Sequence, residues 1–130
     1  MIETKELVTF DRGGSVGSIV VTITSEPICR VSVGSAVFEA ADLFGALVLL
    51  RASLEKNGRF IACNGARRDV FPSGMAREMS RGRKAYILKP GVRPSREDLV
   101  DIFDRADADR IGTVSEQQTQ FDRWKTSFEA

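Results

Sequence analysis

Histidine is missing altogether from this 130-residue chain. Its absence removes the commonest general base, the usual nucleophile triads and the commonest transition-metal ligand together. Neither G-x-S-x-G nor H-E-x-x-H occurs. The glycine-rich stretch around Gly13, Gly14 and Gly17 lacks the lysine of a phosphate-binding P-loop and leads into a β-branched segment rather than a helix. Carboxylate pairs are the remaining route to acid–base chemistry, but acidic residues on an amphipathic helix ordinarily form a solvated face. The expectation is a chain without catalysis, cofactor or metal. Cysteine is scarce: Cys29 and Cys63 stand far apart, without a C-x-x-C spacing and in apolar surroundings, and are read as buried thiols. No apolar run approaches a membrane span, the longest covering residues 43–50 with Gly45 and Ala46 inside it. The first residues, with Glu3 and Glu6 among them, lack the basic end and greasy stretch of a signal peptide. A cytoplasmic protein away from the membrane is expected.

With 42% apolar residues and a net charge of +1, the chain fits one globular domain over residues 1–130. Ile19, Val20, Val21, Thr22 and Ile23 mark a strand, and Cys29, Val31 and Val33 mark another that continues past Gly34 to Val37 and Phe38. Glu26-Pro27 between them predicts an antiparallel hairpin. Asp42 caps a helix over residues 43–57, closed by Asn57-Gly58, with Arg51, Glu55 and Lys56 on its wet side. Short strands are expected at residues 59–63 and 84–89, with a two-turn helix opened by Ser73 between them. A helix over residues 95–106 then presents Leu99, Val100, Ile102 and Phe103 to the core. A last helix begins at Ser115, with Gln118 in a capping box, and buries Phe121, Trp124 and Phe128. The fold class is α+β: an antiparallel or mixed sheet packed against helices, ending in a helix-loop-helix.

Charge is sorted along the chain. Residues 67–84 carry a net of +4, from Arg67, Arg68, Arg77, Arg81, Arg83 and Lys84 against Asp69 and Glu78, whereas residues 95–130 carry −4. Separated fields of this kind either steer partners or neutralise each other across the fold. The arginines 67, 68, 77, 81 and 83 are candidate anion-binding residues for a nucleic-acid backbone. Glu97, Asp98, Asp101 and Asp104 are candidate partner-binding residues for another protein. Near-zero total charge and sparse aromatics beside the basic segment, only Phe71 and Tyr86, favour the protein partner, with nucleic acid as the alternative.

Residues 107–118 resemble the calcium loop of EF-hand proteins, with Asp107 and Asp109 at the first and third ligand positions and Gly112 at the sixth. Ile111 and Gln118 stand where that loop needs its fifth-position oxygen and its bidentate glutamate. The loop is therefore read as a polar turn with Gly112 at a left-handed corner, without a metal. In size, helix-on-sheet order and the acidic run from Glu97 to Asp109, the chain resembles the immunity proteins that bacteria use to neutralise toxins. That resemblance implies a non-enzymatic protein-binding module whose acidic residues cover a basic toxin site.

Overall fold

The alternation that makes residues 16–24 a strand also sets which side chains of the sheet meet the core. In the computed structural model, which describes residues 2–128, this segment is β2 (Val16–Thr24), paired antiparallel with β1 (Ile2–Asp11) on one side and with β3 (Cys29–Val33) on the other. A two-residue turn with Gly34 at φ 58° leads to β4 (Ala36–Ala40). β5 (Arg59–Ile61) pairs antiparallel with the far side of β1, giving the order β4-β3-β2-β1-β5. Met1, and Glu129 and Ala130 at the end of the acidic run, lie outside the described residues. The expected hairpin at Glu26-Pro27 is present, and the fold class is α+β.

β1 is the longest strand and sequence reading does not find it. Its inward positions are Glu3, Lys5, Leu7 and Thr9, of which only Leu7 is apolar, so the two-residue hydrophobic period is hidden. Glu3 and Lys5 are tolerated beneath the fold because Arg83 and Asp104 meet them there.

α1 (Leu43–Glu55) covers the inner face of this sheet. Asp42 caps it, its Oδ1 accepting the Gly45 N–H at 2.7 Å. Leu43, Phe44, Ala46, Leu47 and Leu50 pack in one core with Leu7, Val21, Ile23, Cys29, Val31 and Ile61. Each aliphatic side chain so buried contributes about 1.5–3 kcal/mol. Both cysteines are buried and free. Desolvation pushes the Cys63 thiol up to about 11, which keeps it protonated and unreactive.

The second half is made of shorter pieces. β6 (Val70–Phe71), β7 (Lys84–Ile87) and β8 (Leu99–Asp101) form a separate antiparallel sheet in that order. Between β6 and β7 lies α2 (Gly74–Ser80), capped by Ser73, whose Oγ accepts the Ala76 N–H at 3.0 Å. Arg81, at φ 57°, turns the chain after α2, and its carbonyl accepts the Leu43 N–H at 2.7 Å, docking α2 against the start of α1.

The helix expected over residues 95–106 is not there. A single 3-10 turn (Arg96–Asp98) closed by a Ser95–Asp98 capping box runs straight into β8. Pairing with β7 aligns Leu99 with Tyr86 and Asp101 with Lys84. The Asp101 carboxylate then takes the Phe103 N–H at 2.9 Å, an interaction that competes with helix continuation. α3 (Val114–Thr126) is therefore not the second arm of a helix-loop-helix. It begins one residue earlier than expected, with Thr113 as cap and Glu116, not Gln118, completing the box. Phe121 and Trp124 are half-buried and Phe128 is exposed, so this helix buries less of its aromatic row than its spacing predicts. Among the described residues no helix is long and apolar enough to cross a membrane.

Candidate functional site

The five arginines of the basic segment are all held within the fold. Arg67 makes a bidentate pair with Asp69, at 2.9 Å for both bonds. Arg68 donates to the carbonyls of Ile111 and Asp109, each at 2.7 Å. Arg77 pairs with Asp42 at 2.6 Å and lies over the rings of Phe44 and Phe71. Arg81 donates to the Ser25 carbonyl at 2.6 Å. Arg83 bridges Glu3 and Asp101 across the two sheets, with bonds of 2.9 to 3.1 Å. The hydrogen bonds from Arg83 hold the Glu3 carboxyl below the usual carboxylate range, and Glu3 in turn raises the Arg83 guanidinium. These guanidinium edges are turned toward protein oxygens rather than toward a phosphate backbone.

The acidic candidates do not share one helix face. Glu97 is exposed on the 3-10 turn. Asp98 folds back to accept the Ser95 N–H at 2.9 Å. Asp101 is committed to Arg83 and to the Phe103 N–H. Asp104 pairs with Lys5 at 3.0 Å while its side chain stays 60% exposed. Among the described residues one ion pair, Arg83–Asp101, joins the basic segment to the acidic one, whereas Arg77 pairs with Asp42 and Asp104 with Lys5, both from the first half of the chain.

Two residues missed by sequence reading join the halves. Arg51, assigned to the wet side of its helix, is 2% exposed. Its guanidinium donates to the Gln117 Oε1 at 2.6 Å and to the carbonyls of Gly65 at 3.2 Å and Gly112 at 3.1 Å. Gln117, equally buried, donates through its Nε2 to the carbonyls of Gly65, Arg67 and Val70 at 2.8 to 2.9 Å. Among the described residues no carboxylate bonds this guanidinium, and burial lowers its pKa from the ordinary value. The signal was in the spacing: Arg51 stands four residues after Leu47 and three before Leu54, and Gln117 four before Phe121, inside the apolar stripes.

This node also explains Gly112. The residue is not at a left-handed corner, since positive φ occurs elsewhere. A Cβ there would lie 2.2 Å from the Arg68 side chain, so glycine is required for close approach. Around it, Ile111 is buried and residues 108–110 form a 3-10 turn. Among the described residues no three His, Cys, Asp or Glu side chains gather as metal ligands.

A cleft of about 490 Å³ opens between the β1–β2 turn and α3 and contains Asp11, Asp109 and Glu116. Asp11 accepts the Gly13 and Ser15 N–H groups, and Glu116 accepts that of Thr113, which lowers its pKa. Asp11 and Glu116, so occupied by a turn and a cap, are poorly placed for proton transfer. A smaller groove of about 250 Å³ lies beside the stacked rings of Phe71 and Phe121, whose centroids are 3.9 Å apart, with Trp124 next in the row.

Several exposed apolar side chains lie on the outer face of the five-stranded sheet. Alternation places Ile2, Thr4, Glu6, Val8 and Phe10 of β1, Val16, Ser18, Val20, Thr22 and Thr24 of β2, Ser32 of β3 and Val37 of β4 on that side. Ile2, Val16, Val20 and Val37 are between 53% and 72% exposed. On this face Arg30 and Glu39 pair at 2.6 Å, and the Glu6 carboxylate accepts from the Ser18 hydroxyl and has no ion pair among the described residues. No protein-family model matches the chain, and no curated protein sequence matches it.

Proposed function

We propose that this chain is a non-enzymatic protein-binding module that docks its partner on the outer face of the five-stranded sheet. One observation carries the reading: three large aliphatic side chains, Ile2, Val20 and Val37, project from a sheet face that no helix covers among the described residues, and Val16 stands at the end of that face beside the cleft toward α3. These exposed aliphatic side chains, which alternate with Thr4, Ser18, Thr22 and Ser32, are read as an interaction surface because burying them against a partner is favourable and the fold itself does not bury them. The face carries one carboxylate without an ion pair, Glu6 opposite Val20, so the partner proposed is mainly apolar with a donor to meet that group, while Glu97 and Asp104 lie outside the face. A toxin is the kind of partner that the resemblance to immunity proteins implies, and the proposal retains it with the sheet face in place of the acidic run. The nucleic-acid alternative loses support, since the five arginines that would carry it are bonded to protein oxygens.

The test uses wild-type and Val20→Lys/Val37→Lys chains as parallel baits in native lysate, with hydrogen exchange on the recovered complex. A stoichiometric partner that protects β2 and β3 and is lost from the double variant supports the reading. A partner that is retained by that variant but lost from Glu97→Lys/Asp104→Lys would return the interface to the acidic residues. Gel filtration with light scattering distinguishes a foreign partner from a second copy of the chain.

A further inference from the structure

Residues 63–68 and 104–111 run side by side, and their pairing gathers arginines that the rest of the fold does not use. Isolated antiparallel bridges join Cys63 to Arg105 and Arg67 to Ile111. Backbone bonds tie the Asn64 N–H to the Asp104 carbonyl at 2.8 Å and the Arg68 N–H to the Arg110 carbonyl at 3.0 Å. From below, Arg51 and Gln117 hold the carbonyls of Gly65 and Arg67. On this rigid frame Asn64, Arg67, Arg105, Asp107 and Arg110 line an open pocket of about 450 Å³.

Among the described residues the side chains of Arg105 and Arg110 make no ion pair and donate no hydrogen bond, unlike the arginines of the basic segment. Arg67 bonds Asp69 through its Nε and Nη2, which fixes the guanidinium plane and leaves Nη1 without a partner. Two guanidiniums free among the described residues and one fixed edge, opposed among the lining residues by the single carboxylate of Asp107, leave donors in excess of acceptors. We propose that this pocket is a binding site for a phosphomonoester. A carboxylate offers two oxygens and satisfies one guanidinium fork, whereas a phosphoryl group presents three oxygens to donors arriving from separate backbone positions. The site is distinct from the sheet face and does not depend on the docking proposed there.

Titration of ¹⁵N-labelled chain with phenyl phosphate, followed by amide and arginine side-chain shifts, tests the site. The expected result is saturable change confined to residues 64–67 and 104–110, with a dissociation constant of about 1 mM or tighter. Arg105→Glu/Arg110→Glu should abolish it, Lys84→Glu should leave it unchanged, and Asp107→Asn should tighten it about threefold or more by removing the competing carboxylate. Circular dichroism checks that the variants fold. Phosphoserine and a phosphoserine-containing peptide compared side by side identify the source: a peptide about tenfold tighter marks a protein-borne phosphate, and equal affinity marks a free phosphorylated metabolite. Absence of saturable shifts with every probe, or shifts that survive the double reversal, would overturn the proposal.

Discussion

Val20 and Val21 are neighbours on one strand and meet opposite surroundings: Val21 is fully buried under α1, while Val20 is 54% exposed on the outer face. The same contrast repeats across the sheet, where Leu7, Ile23, Val31 and Ile61 face the helix and Val8, Val16, Ser32 and Val37 face away from it. The inner residues have an evident structural role, since removing any of them opens a cavity against α1. The outer valines have no helix to pack against, yet a solvated face is ordinarily filled with charge. The difference teaches that strand propensity explains why valine is tolerated on both faces, but only the inner face explains why it is needed.

The largest effect should come from the covered side. Arg51→Ala removes a buried donor from the Gly65 and Gly112 carbonyls and from Gln117, and is expected to cost about 3 kcal/mol or more in urea unfolding. A loss below about 1 kcal/mol would mean that the node between the halves is not a determinant of stability. Next, Val21→Ala should destabilise by about 2 kcal/mol, whereas Val20→Ala should change stability by less than about 0.5 kcal/mol. Equal losses at the two positions would erase the distinction between the faces.

The smallest effect concerns the end of the inner face, where Glu3 meets Arg83. Because the folded carboxyl is held below its ordinary value, its contribution is present above the unfolded pKa and disappears as pH falls through the folded one. Stability should therefore decline on the acid side, below about pH 4.5, and the decline should be shallower in Arg83→Met than in wild type. Glu3 is too exposed for more than a modest share, on the order of a few tenths of a kcal/mol. Identical acid limbs would show that other carboxylates set the profile.

What was legible in the sequence follows the same physical division. β2, β3 and α1 announce themselves through apolar period and capping at Asp42, because their burial is one-sided and made of aliphatic groups. β1 is concealed because its inward positions include Glu3 and Lys5, whose partners Arg83 and Asp104 are distant in the chain. The stretch at residues 95–106 reads as a helix from its sequence; pairing with β7, which is not local, and the side chain of Asp101 overturn that reading. The candidate charges could be recognised one by one, but not the partners that occupy them. Arg105 and Arg110, unremarkable within an acidic run, stand out only once the bridges at Cys63 and Arg67 bring them to the same pocket.

The docking role of the outer face can be measured most directly by partner affinity in two double variants, one on that face and one at the exposed carboxylates outside it. Val20→Lys/Val37→Lys should retain wild-type circular dichroism and unfolding midpoint and weaken partner binding at least about tenfold, while Glu97→Lys/Asp104→Lys binds as wild type. A folded Val20→Lys/Val37→Lys chain that binds its partner with wild-type affinity would contradict the account.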